Sequence, residues 1–267
     1  MAIEGKTGNF LWMTSSNVSW SPCCEYQDFP LWHAGSINAY VVRSDNLIEF
    51  YVDAYSLAGK GTKMYTLLPF GCLLHGLSSI IEESGVLYIF LPCQVLAYDA
   101  ISGEGLWQYD LPSAINTSNT YAVHQSNTVA PTCLSSSSSS PCLLVSYESF
   151  VYSGNPVLGT IALDLRSGLE IWSNPAFSGM SMYYSNLNPS AGGTSFYYSA
   201  YFTKYSSGVV SISTLTGGFQ DFFALDYDHN FVGTNIVAYP DNTALYQFGD
   251  NSDGGLVEKH KIFLTKT

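Results

Sequence analysis

The sequence predicts an all-β chain of repeated four-stranded sheets. Short apolar runs recur in pairs, and each pair is split by a turn rich in Gly, Ser, Asn or Asp. No stretch has the period of a long amphipathic helix. A strand–turn–strand segment ending in a large aromatic recurs along the chain.

That segment is clearest at Ala97-Tyr98-Asp99-Ala100-Ile101-Ser102-Gly103-Glu104-Gly105-Leu106-Trp107. Asp99 can accept hydrogen bonds from turn N–H groups, and Gly103 can supply the positive φ of a short hairpin turn. Ala2 to Trp12, with Gly8, repeats it in register, as does Ala162 to Trp172, with Asp164 and Gly168. Two looser copies run from Ala54 through Gly59 to Tyr65 and from Ser211 through Gly217 to Phe222. The turn glycines at 8, 59, 103, 168 and 217 stand 44 to 65 residues apart, near the period of propeller and array repeats.

Five hairpins follow the same rhythm: 37–42 with 47–55, 86–91 with 94–98, 143–147 with 157–163, 195–202 with 209–213, and 244–248 with 256–263. Each is preceded by a further apolar segment, which indicates four-stranded blades. The serine run 135–140 is read as a loop projecting from one blade. The irregular stretch after Trp12, to about residue 35, is too long for a hairpin connection and reads as a surface excursion.

The Trp12, Trp107 and Trp172 repeats resemble the tryptophan-docking repeat of the quinoprotein-type (pyrroloquinoline quinone-like) β-propellers. In that family the Trp of an outer strand packs against the neighbouring blade. The resemblance implies a single β-propeller domain over residues 1–267, of five or six blades. It would be closed by pairing of amino- and carboxy-terminal strands, or would form an arc of a larger ring.

The resemblance also implies a site for quinone and calcium. Family enzymes place the cofactor between a Trp and a disulfide of adjacent cysteines, with Asp, Glu and Asn holding calcium. Cys23-Cys24 are the adjacent cysteines here, and Arg43 and Arg166 are the two arginines that could meet cofactor carboxylates. No Asp or Asn set matches the family's calcium ligands residue by residue. Asp226, Asp228 and Asn230 alternate as in calcium loops, but Phe231 and Val237 stand where an EF-hand needs Gly and Glu. A solvated turn is the preferred reading there. Glu4, Asp99 and Asp164 are assigned to their turns. The five histidines, at 33, 75, 124, 229 and 260, show no metal-ligand spacing.

Charged residues are only 11% of the chain, against roughly 25% in ordinary soluble domains. The net charge of −12 argues against nucleic-acid binding. No apolar run approaches a membrane span. Aromatic residues make up 15%, and Tyr183, Tyr184, Tyr197, Tyr198, Tyr201 and Tyr205 gather in one blade. Strand packing is preferred to ligand binding for these tyrosines.

Cys133 and Cys142 bracket the serine run and are expected to form a disulfide. Asn17 and Asn116 head glycosylation sequons. Both features fit an extracellular or luminal setting. The amino terminus is no signal peptide and enters directly into a repeat, as expected if the start lies within a longer precursor or at an internal Met.

The expected function is a non-catalytic propeller that binds protein or glycan partners, or assembles with copies of itself, without a cofactor. Two alternatives remain open. One is a quinone-dependent dehydrogenase or a piece of one, with quinone and calcium. The other is a propeller sensor domain of a larger receptor.

Overall fold

Apolar residues alternate or run together in short segments, and each segment becomes a strand. The computed structural model describes residues 2–3, 10–12, 32–44, 50–68, 79–91, 94–111, 120–134, 139–151, 157–174, 190–192, 194–203, 206–225, 231–239, 244–250 and 257–261. Gly8, Asn17, Cys23, Cys24, Asn116, Asp226, Asp228 and Asn230 lie outside these residues, as do Tyr183, Tyr184 and Tyr205. Every described element is a strand. Among the described residues, no helix is long and apolar enough to cross a membrane.

The chain divides into two compact units, Met1–Leu111 and Pro112–Thr267. In the first unit, β1 (Ala2–Ile3) pairs with β2 (Phe10–Trp12). A four-stranded antiparallel meander follows, of β3 (Trp32–Ala34), β4 (Asn38–Ser44), β5 (Phe50–Ser56) and β6 (Lys63–Leu67). A second holds β7 (Ser79–Glu83), β8 (Val86–Leu91), β9 (Gln94–Asp99) and β10 (Gly105–Asp110).

The second unit repeats the plan. One meander is β11 (Thr120–Leu134), β12 (Ser139–Val151), β13 (Val157–Asp164) and β14 (Glu170–Asn174). The next is β15 (Ser190–Gly192), β16 (Ser195–Thr203), β17 (Ser206–Ser213) and β18 (Phe219–Leu225). A three-stranded sheet holds β19 (Phe231–Ala238), β20 (Ala244–Asp250) and β21 (Val257–Lys261). β12 begins at Ser139, so the last two serines of the run belong to a strand rather than to the expected loop. They pair with Cys133 and Leu134 across the hairpin, which gives their backbone groups partners.

In the second meander a central strand and an outer strand differ in burial. β8 reads Val-Leu-Tyr-Ile-Phe-Leu and is almost wholly buried, whereas β10 alternates between exposed and half-buried residues. Tyr40, Val42, Val52, Ala54, Leu67, Ile80, Leu87, Ile89, Leu91 and Leu96 form one core cluster between the two meanders of the first unit. In the second unit Leu143, Leu144, Val145, Ile161, Leu163 and Ile212 are fully buried. Cys133 and Cys142, also buried, are joined by a disulfide with a Cα–Cα distance of 5.8 Å.

Candidate functional site

The repeated turns are built by their own residues. Asp99 Oδ1 accepts from the Ile101 N–H at 3.0 Å, the Ser102 N–H at 2.7 Å and the Ser102 hydroxyl at 3.0 Å. Asp164 accepts the same set from Arg166 and Ser167. The Ser102 donors hold the Asp99 carboxyl below its ordinary value. For Asp164, burial acts to raise the value, but the Ser167 and Arg166 donors prevail and lower it. These carboxylates are turn residues, and Arg166 is exposed in its turn.

Register relates the copies. Ala2 pairs with Trp12, Ala54 with Tyr65, Ala97 with Trp107 and Ala162 with Trp172, each followed by a bulge. Two sequence expectations need correction. In the second copy the glycine with positive φ is Gly61 (78°), not Gly59, because the turn holds one more residue, with Lys60 at φ 54°. Counted from Gly61, Tyr65 has the same spacing as the tryptophans. In the last copy Asp221, opposite Ser211, occupies the tryptophan position. Phe222 pairs with Val210 and is one residue out of register.

The aromatic at this position reaches the next sheet in two cases. The Tyr65 ring lies against Gly103, where a Cβ would stand 2.7 Å from it, and its hydroxyl donates to the Ala100 carbonyl at 2.9 Å. The Trp172 ring covers Gly217, where a Cβ would clash with the ring atoms. Its Nε1–H donates to the Thr214 carbonyl at 2.9 Å. Gly103 and Gly217 thus need to be glycine twice over, for φ values of 74° and 70° and for the ring that covers them. Trp107 lies tilted against Tyr88 of its own sheet, with ring centroids 5.8 Å apart. The Trp12 side chain is outside the described residues.

A denser polar cluster, invisible in the sequence, centres on Glu82 of β7. Its Oε1 accepts from the Ser36 N–H (2.8 Å), the Ser36 hydroxyl (2.7 Å) and the Ile37 N–H (2.9 Å). Its Oε2 accepts from the Tyr40 hydroxyl (2.8 Å) and the Asn38 N–H (3.3 Å). The Glu82 N–H donates to His33 Nε2 at 3.2 Å, and the His33 ring stacks on Tyr40. The Asn38 amide donates to the Ala100 carbonyl at 2.5 Å. At Gly35 a Cβ would overlap the Glu82 carboxylate, so only glycine lets the β3–β4 turn close over it.

Burial acts to raise the Glu82 carboxyl, but the donors of Ser36, Tyr40, Ile37 and Asn38 outweigh it and lower the value. Burial raises the Tyr40 hydroxyl, and lowers His33 against the pull of Glu82. Nothing local announces Glu82, because the partners of its carboxylate lie 42 to 46 residues earlier.

The second buried carboxylate, Asp53, is also committed. It takes the Lys63 ammonium at 2.8 Å and the Thr66 hydroxyl at 2.6 Å. Among the described residues, no three His, Cys, Asp or Glu side chains stand together as a metal site.

No family model matches the sequence, and no curated protein matches it. Solved structures do. The Dos1 propeller superposes with a TM-score of 0.52 over 85% of this chain and 57% of its own, at 13% identity. The fold is a β-propeller. The WD40 domain of SCAP from fission yeast matches at a TM-score of 0.48 and 10% identity, covering 89% of this chain and 58% of its own. A europium-containing methanol dehydrogenase matches at 0.46 and 12%, covering 85% and 50%. The chain therefore spans about half to three-fifths of the length of these structures. In propeller terms each meander is a blade. Glu82, Tyr65 and Trp172 each tie one blade to the next.

Apolar side chains remain exposed near the turns that lead into outer strands. Met64 and Leu106 lie at the second residue of an outer strand, Phe219 at the first, and Ile101 and Leu169 in the preceding turns. All five are between 49% and 69% exposed.

Proposed function

We propose that the chain is a non-catalytic propeller that binds a protein or glycan partner through the turn ends of its outer strands. The observation that carries this reading is a division of labour. The two buried carboxylates of the described residues are committed, Glu82 to donors of the neighbouring sheet and Asp53 to Lys63 and Thr66 of the adjacent strand, while large apolar side chains stay exposed near the turns. A general acid or base needs an unshared proton position within reach of substrate. A carboxylate with five donors has none. Exposed apolar and aromatic side chains amid low charge suit a recognition surface instead. The buried Cys133–Cys142 disulfide supports an oxidising, extracellular or luminal setting.

The test compares the native chain with an Ile101→Ser/Leu106→Ser variant on protein and glycan arrays. Saturable binding lost in a folded variant supports the proposal. Binding indifferent to the variant overturns the surface assignment. Dye reduction by the native chain with an alcohol, calcium and pyrroloquinoline quinone would establish the quinone enzyme in its place.

A further inference from the structure

We propose that the His33–Glu82 junction is an acid-sensitive latch between the first two blades, released by protonation of His33 while the carboxylates are still ionised. The argument begins with the direction of one hydrogen bond. The Glu82 N–H donates to His33 Nε2 at 3.2 Å, so this nitrogen must carry a lone pair and the ring must be neutral. A protonated ring would set two N–H donors face to face. It would also place a cation in a half-buried site between β3 and β7.

The groups facing the latch do not compensate for that proton. Tyr40 of β4 stacks on the ring and spends its hydroxyl proton on Glu82. Tyr65 of β6 donates its own to the Ala100 carbonyl, and burial holds both phenols neutral. The Glu82 carboxylate attracts a charged imidazole, but all its near positions are filled by Ser36, Ile37, Asn38 and Tyr40. Burial outweighs that attraction, and the imidazole stays below its ordinary value of 6.5.

The sign follows. A base whose folded-state value is lowered costs nothing above the unfolded value, where both states are neutral. As the pH falls through 6.5 the opened state takes up the proton first, and the closed latch loses stability until the folded-state value is passed. Glu82 adds a second loss of the same sign, starting only near its ordinary value of 4.5. Asp99 and Asp164 follow near 3.8. Between pH 6.5 and 5 the described network therefore opens through His33 first.

The test is hydrogen exchange on the full chain at pH 7.5 and 5.5, corrected for intrinsic rates, in the native protein and in His33→Gln. A glutamine can accept the Glu82 N–H through its side-chain oxygen and does not titrate. In the native protein, protection over residues 33–40 and 79–85 should fall by up to about tenfold at pH 5.5, the proton-binding ratio one unit below an ordinary histidine. Residues 139–164 should not change. His33→Gln should keep its protection at both values. An equal loss in His33→Gln, or none in the native protein, overturns the latch. If His33→Gln does not fold, nuclear magnetic resonance titration of the native imidazole decides. A value below 6.5 with the proton on Nδ1 supports the latch, and a value at or above 6.5, or a proton on Nε2, overturns it.

Discussion

Two blade junctions use one device with different reinforcement. At the first, Tyr65 covers Gly103 and donates to Ala100. At the second, Trp172 covers Gly217 and donates to Thr214. Ala100 and Thr214 are equivalent: each backbone N–H donates at 2.9 Å to a carbonyl in its own blade, of Gly85 or Thr194. The first junction adds the Glu82 cluster and the Asn38 amide. The second adds the Asn174 amide on the Gly217 carbonyl at 2.5 Å, and buries the Thr214 and Ser195 hydroxyls without partners among the described residues. The ring on the glycine is thus the shared element, and the polar reinforcement varies from one junction to the other.

The largest way to break the comparison is Glu82→Ala. It strips the acceptor from five donors at the first junction and has no counterpart at the second. Unfolding by denaturant should show a loss of about 3–5 kcal/mol. Gly217→Ala comes next, at about 2–4 kcal/mol, from the left-handed backbone and the displaced Trp172 ring together. Gly59→Ala should cost about 1 kcal/mol or less, because Gly59 lacks positive φ and its Cβ would press only on the half-buried Ser56 side chain, with Thr62 at ordinary contact distance. Equal losses at Gly59 and Gly217 would undo the register drawn through Gly61.

Tyr65→Phe keeps the ring on Gly103 and removes only the bond to Ala100, so a loss of about 1 kcal/mol is expected in the same measurement. Thr214→Ala sharpens the contrast in the other direction. It converts the residue to its counterpart, Ala100, and deletes a buried hydroxyl without a described partner. Its thermal midpoint should be unchanged or raised, a gain of up to about 1 kcal/mol.

Legibility in the sequence followed contact range. The Asp164–Gly168–Trp172 spacing could be read because a turn is made by adjacent residues, and the hairpin pairs because alternation is local. The cysteines at 133 and 142 stood out for the same reason. The register of the copy at Tyr65 is hidden in the sequence because a turn can absorb one more residue, Lys60, without disturbing the strands it joins. Phe222 drew attention as an aromatic although Asp221 holds the position opposite Ser211. Glu82 gave no signal at all. The pair Glu82-Glu83 before Ser84-Gly85 reads as the polar approach to a turn until the fold brings Ser36, Ile37, Asn38 and Tyr40 around Glu82.

The central claim is that the Glu82 carboxylate is spent on joining the first two meanders. Carbon-13 titration of the Glu82 side chain in the native chain tests it most directly. A carboxylate held by five donors should titrate below its ordinary value of 4.5, and its contribution to stability should be lost as the pH falls from 4.5 through that lowered value. Titration above 4.5 would mean a carboxyl kept protonated by burial and poised to exchange a proton, which would contradict the account.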